Sequence, residues 1–282
     1  MGVKDIAEKN LESFNDVFAD IVNVLLFNGK QLVQENELET DTKDTMFKAD
    51  GELHEQERDV SKIWKNGEIR ISILGFENQT RQDSDMPLRV ISYDGASYKQ
   101  EFLDKSNTKR YPVATLVLYF GTDSKWTAPK SLYECFDVPK ELKPFVSDYK
   151  INVFDIAWLD DETISLFKSD FKFVAKYFQT KRLNKDYIPT SGELLHADSL
   201  MKMFTALTGD NSFETAYNEG NFKNKGGVTM CDVVERIENR GKADIIRKML
   251  DAKALTVEQI ADILKLPVEE VKKIAQMVPV LN

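Results

Sequence analysis

The strongest chemical signal in the chain is Glu77-Asn78-Gln79, which follows the alternating run Ile69-Arg70-Ile71-Ser72-Ile73-Leu74. Residues two apart on a strand share a face, so Glu77 and Gln79 continue the face of Ile69, Ile71 and Ile73. Polar side chains on an otherwise buried face are costly unless they bind something. Asp59 opens the preceding alternating run, which ends at Trp64, and is the natural partner of Glu77. Two carboxylates from adjacent strands, joined by one from a packed helix, make a hard oxygen site suited to Mg²⁺. Such an ion activates water and stabilises charge on a phosphodiester. Asp16, Asp20 and Asn23 stand at i, i+4 and i+7 of the amphipathic run Leu11–Phe27. The same spacing also describes a plain solvated stripe.

The two strands set a geometric condition. Lys65-Asn66-Gly67-Glu68 carries the Asn-Gly turn signal between them. A two-residue Asn66-Gly67 turn would pair Asp59 with Leu74 and leave Asp59 on the face opposite Glu77. The site therefore requires a longer loop or a bulge, and Gly75 is suited to the bulge. Arg58, Lys62, Arg70, Arg81 and Arg89 cluster in sequence around these residues. They are expected to line a phosphate-binding groove, or else to make ordinary surface ion pairs.

The elements that position these residues read as a mixed α/β domain. The spacing predicts a helix over 11–27 closed by Asn28-Gly29, a polar loop over 34–51, and the hairpin of 59–74. It then predicts a helix over 85–103, with Leu88, Ile91, Tyr98 and Phe102 at helical spacing. The near-continuous apolar run 111–121 reads as a strand buried on both faces. A short helix over 131–136, a strand over 149–159 and a helix over 170–182 follow. Beyond about residue 185 the strand signals stop, and helices are expected over 193–207, 230–253, 256–264 and 268–275. The expected organisation is a domain over 1–185, a helical linker over 186–229 and a C-terminal helical segment over 230–282.

The run 14–27 resembles the opening helix of the PD-(D/E)XK nuclease family transposases, grouped with the recombination-promoting (Rpn) nucleases. The resemblance continues through Arg58-Asp59-Val60, Phe76-Glu77-Asn78-Gln79-Thr80, Met86-Pro87-Leu88-Arg89, Tyr93-Asp94-Gly95, Tyr111-Pro112-Val113, Asp148-Tyr149-Lys150 and Ser169-Asp170-Phe171. It spans roughly residues 5–215. It implies a restriction-endonuclease-like core, a mixed sheet flanked by helices, that cuts DNA with Mg²⁺, or with Mn²⁺ or Ca²⁺ in its place. Asp59 and Glu77 would take the family's metal-binding positions, with Asp20 or Asp16 as the carboxylate of the first helix. Gln79 replaces the usual lysine of the motif. An amide can orient a water but cannot act as a base near neutral pH, so hydroxide must come from the metal. The alternative is a catalytically weak protein that keeps the fold and binds DNA or a partner; a phage-defence nuclease effector shares the chemistry under a different trigger.

Composition narrows the partners. Against 38 Lys and Arg the chain carries 47 Asp and Glu, a net charge of −9, which excludes DNA binding by bulk positive charge. From Cys231 to Asn282 nine basic residues meet nine acidic ones, so this segment is neutral. Its end, 255–274, resembles a helix-turn-helix with Thr256 and Gln259 as a capping box and Ile260, Ala261, Leu264, Val268 and Val271 buried. Contact with DNA and a role in homodimer formation are both expectations for it. Cys135 and Cys231 are too few for a disulfide framework, and His54 and His196 lie too far apart in sequence to suggest zinc. No apolar run approaches the roughly 20 residues of a membrane span, and the start of the chain lacks the apolar core of a signal peptide. A cytoplasmic protein is expected.

Overall fold

The computed structural model describes residues 11–40, 45–49, 52–56, 60–74, 81–103, 110–189, 191–220, 222, 227–252 and 255–276, with backbone only at 45–49, 52–56 and 275–276. The chain divides into two compact units. Met1–Ile188 and Leu194–Asp210 form the first; Pro189–Glu193 and Asn211–Asn282 form the second.

The first unit opens with α1 (Asn15–Phe27), whose residues 17–24 are all buried. Asn28, in the left-handed conformation at φ +51°, closes it where the sequence predicts the cap. The region read as a loop, 34–51, supplies two short strands, β1 (Leu38–Thr40) and β2 (Thr45–Ala49), and β3 (Glu52–Gln56) follows it. Next come β4 (Val60–Trp64), β5 (Ile69–Leu74), α2 (Met86–Leu103), β6 (Val113–Tyr119), α3 (Leu132–Cys135) and β7 (Asn152–Asp155). The unit ends with α4 (Asp161–Leu166), α5 (Phe171–Arg182) and α6 (Ala197–Thr208). Strands β2 and β3 pair only with each other, and the other five form one mixed sheet in the order β1-β4-β5-β6-β7. The pairs β1·β4 and β4·β5 are antiparallel; β5·β6 and β6·β7 are parallel. The parallel half needs crossovers, and α2 supplies the first.

The run 116–120 is at most 3% exposed on any residue, so β6 is covered on both faces, as its continuous apolar sequence predicts. One face of the sheet meets α1. Lys62 of β4 reaches the Phe18 ring, 5.7 Å to its centroid, and Trp64 meets Phe27. The other face meets α2, with Leu74, Val117 and Tyr119 packed against Met86 and Val90.

The buried side of α2 differs from its sequence reading. Leu88, Tyr98 and Phe102 are exposed, Phe102 by 76%. The helix instead buries Val90, Asp94, Ser97 and Glu101. Asp94 accepts hydrogen bonds from the Thr115 and Tyr149 hydroxyls, and Glu101 pairs with Arg70 at 3.3 Å. The apolar residues at helical spacing therefore face outward, because polar partners on the sheet define the inner face.

The second unit contains α7 (Ser212–Glu219), α8 (Met230–Asp251), α9 (Val257–Leu264) and α10 (Val268–Gln276). Thr256 and Gln259 form the predicted capping box on α9. Lys265 turns left-handed at φ +53°, and Leu266 N–H bonds the Ala261 carbonyl, which stops α9 before Pro267. Ile260, Ala261 and Val271 bury against Ile246 of α8, with Leu264 and Val268 packed around them.

Candidate active site

Strands β4 and β5 are the elements that flank the sequence motif in the chain. They pair in the register Val60↔Ile73 through Trp64↔Ile69. The connection Lys65–Glu68 is four residues long and closed by Glu68 N–H on the Lys65 carbonyl. Gly67 is required there, because a Cβ would strike the Trp64 ring. The longer loop keeps the register of a two-residue turn, since continued regularly it would still pair Asp59 with Leu74. Arg58, Asp59, Glu77 and Gln79, and the bulge expected at Gly75, lie outside the described residues.

What surrounds the end of the sheet at Val60 and Leu74 is described. β5, β6 and β7 run parallel, so their C-terminal ends share it with the start of β4. Gln82, just beyond the Glu77–Gln79 motif, fastens its segment to the loop after β6. Its amide nitrogen donates to Ser124 Oγ at 3.0 Å and the Lys125 carbonyl at 3.1 Å. Its amide oxygen accepts from the backbone N–H of Thr127 and Ala128 and from Thr127 Oγ1. Five bonds from one side chain tie Gln82 to that loop. A glutamine in a polar run carries no sequence signal for this, since its partners lie more than 40 residues away.

The cations expected to line a groove separate. Lys62 is 1% exposed and donates to the Ser13 carbonyl and Asn15 Oδ1 at 2.8 and 2.7 Å. Burial lowers its pKa. Arg70 is 2% exposed on the opposite face of the sheet and pairs with Glu101. This corrects the expectation for Lys62 and Arg70: a charge placed inside the sheet is retained only with partners, and these two tie α1 and α2 to it. Arg89 is half-buried and bonded to Asp83 at 3.0 Å. Arg81 is exposed.

The two candidate carboxylates of α1 come together, but on the helix face turned from the sheet. At 100° per residue, Asp16, Asp20 and Asn23 span about 60°, opposite Phe18 and Ile21. Asp16 bonds His196 Nε2 at 2.9 Å, and that ring stacks on Phe14 with centroids 3.7 Å apart. Asp20 is 5% exposed. Its Oδ2 accepts Lys168 N–H, Ser169 N–H and Ser169 Oγ–H at 2.9, 2.7 and 2.6 Å. Burial raises the Asp20 pKa, and the Ser169 bonds oppose that rise. The Asn23 amide accepts from Leu32 and Val33 N–H and donates to the Val33 carbonyl, strapping the chain after α1 onto the helix. Asp170 accepts His196 N–H at 2.7 Å, and burial raises its pKa. Among the described residues no group of three or more His, Cys, Asp or Glu is placed to hold a metal ion, and no helix is long and apolar enough to cross a membrane.

A family model described as "Putative transposase, YhgA-like" matches residues 36–201. No curated protein and no solved structure matches the chain. The matched span holds Asp59, Glu77, Gln79 and every strand of the sheet, and it begins after α1. Covering more than half of the sequence, it shows that the chain belongs to the family of YhgA-like transposases, of the PD-(D/E)XK, Rpn type.

Proposed function

We propose that the protein is a metal-dependent DNA endonuclease of the transposase-like, recombination-promoting kind. The family match over 36–201 carries this reading, because that span contains the acidic motif. The mixed sheet flanked by α1 and α2 supports it, since this is the architecture the resemblance implies.

Asp59 and Glu77 are the proposed metal ligands. Two carboxylates are hard oxygen donors, and that donor chemistry fits Mg²⁺. A bound ion would supply an activated water and offset charge on the phosphodiester. Gln79 would orient the water by hydrogen bonding, without taking its proton. Asp16 and Asp20, engaged with His196 and Ser169 on the face turned from the sheet, are left out of this site. Of the described basic residues singled out by the sequence, Arg81 is exposed and is the proposed phosphate contact. Gln79 in the lysine position favours a second reading, a weak nuclease whose main task is DNA or partner binding.

The test is nicking of supercoiled plasmid with Mg²⁺, Mn²⁺ or Ca²⁺, beside Asp59→Ala. Metal-dependent nicking that falls at least about a hundredfold in the variant is the expected outcome. Absence of nicking in every metal, or equal nicking by the variant, removes the nuclease reading.

A further inference from the structure

Trp158 stands where the parallel strands end. It closes the turn Ile156–Trp158 that follows β7, and its indole N–H donates to the Gly121 carbonyl, just past β6, at 3.2 Å. β5 stops at the same end of the sheet, at Leu74, three residues before Glu77 in sequence. Two cations meet over the Trp158 ring. The Arg182 guanidinium lies 4.5 Å and the Lys125 ammonium 5.8 Å from its centroid. Arg182 also donates through Nε to the Ala157 carbonyl at 2.8 Å, and the Lys125 carbonyl accepts from Gln82 Nε2 at 3.1 Å. Arg182 is thus fastened to the turn after β7, and the Lys125 backbone to Gln82.

No carboxylate pairs with Lys125 or Arg182 among the described residues, whereas Arg70, Arg89 and Lys176 of the same unit each hold one. The acids of the following stretch are engaged elsewhere. Asp155 accepts Trp126 N–H, Asp160 accepts Thr163 N–H at the start of α4, and Asp161 takes Lys176. Asp123, exposed in the Lys125 loop, offsets one charge of the two. Both long side chains are already restrained by the ring, so an anion that meets them has less disorder to remove.

We propose that Lys125 and Arg182 hold the phosphate backbone of duplex DNA at this end of the sheet, with Trp158 keeping both side chains in place. This contact rests on the nuclease reading, which supplies DNA as the substrate. Lysine meets a phosphate as a point charge, and arginine through the N–H groups that its Nε bond leaves open. Two contacts of this kind add affinity without reading sequence. Their small number suits a chain of net charge −9, which cannot hold DNA by bulk charge. The plain alternative gives Arg182 to the negative end of α5 and leaves Lys125 to solvent, with no part in DNA binding for either.

Fluorescence anisotropy of a labelled duplex, titrated with the full chain at several salt concentrations and without divalent metal, tests the proposal. The logarithm of the binding constant should fall linearly with that of the salt concentration. The slope should lessen by about 1 in Lys125→Gln and by about 2 when Arg182→Gln is added to it. Lys125→Gln is an exposed change that leaves the fold intact, and thermal unfolding of the double variant is recorded alongside. Lys99→Gln should keep the wild-type slope, because Lys99 follows Tyr98, whose hydroxyl meets Val113 N–H at the other end of β6. The proposal is overturned by no saturable binding up to about 100 µM protein at low salt, by a wild-type slope in Lys125→Gln, or by an equal loss in Lys99→Gln. Binding without metal is read independently of nicking. Nicking that depends on Asp59, with unaltered slopes, removes this proposal alone; altered slopes without nicking remove the nuclease reading alone.

Discussion

Helices α1 and α2 cover opposite faces of one sheet by different physics. α1 buries Phe18, Ile21 and its valines as a continuous apolar surface, and Lys62 reaches it from the sheet. α2 buries Met86 and Val90 in its first turns, but Asp94, Ser97 and Glu101 along the rest, where its attachment runs through hydroxyls and a buried ion pair. An apolar contact loses stability in proportion to the volume removed. A buried polar contact fails abruptly, because removing one partner strands the other without water.

That difference orders the expected effects of substitution. Glu101→Ala leaves Arg70 buried without its carboxylate and should cost about 3–5 kcal/mol, read from the urea midpoint. A loss near zero would mean that Arg70 finds another acid or reaches solvent. Asp94→Ala deprives the Thr115 and Tyr149 hydroxyls of their shared acceptor and should cost about 1–3 kcal/mol. On α1, Ile21→Val removes one methylene and should cost only about 0.5–1.5 kcal/mol. If it costs more than Asp94→Ala, the contrast between the helices fails.

The smallest effect is one of pH. Burial raises the Asp20 pKa, so the folded state holds that proton more tightly than the unfolded state. Asp20 therefore favours folding at pH below its raised value, and this contribution is lost as pH rises through the interval between the ordinary and the raised value. Asp20→Asn removes the term, so its stability relative to wild type should improve as pH rises from the ordinary carboxylate value through the raised one. An unchanged difference would contradict the assignment.

The contrast also explains which elements were legible in sequence. α1 and β6 bury apolar residues, so period and composition give their extents and buried faces. α2 has a readable extent but a misleading inner face: Leu88, Tyr98 and Phe102 have the spacing of a core stripe, yet the side is chosen by Arg70, Thr115 and Tyr149, which are distant in sequence. For the same reason Lys62 and Arg70 read as a surface cluster, although each is the interior half of a long-range tie. β1 hides in a polar stretch because a three-residue edge strand has only one buried residue, Leu38. In the candidate site, residue type and spacing single out Asp59, Glu77 and Gln79 as candidates, and these lie outside the described residues. The Gln82 clamp and the Asp16–His196 contact were not legible, because each joins groups far apart in the chain.

The most direct test of the central claim measures the metal rather than the cleavage. Mn²⁺ is titrated into the full chain and into Asp59→Ala, Glu77→Ala and, as a control at an exposed acid, Glu35→Gln, with bound metal followed by paramagnetic resonance. Saturable Mn²⁺ binding in wild type and Glu35→Gln, weakened at least about tenfold in Asp59→Ala and Glu77→Ala, is the predicted result. Equal binding in all four proteins, or none in wild type, would contradict a metal centre built on Asp59 and Glu77.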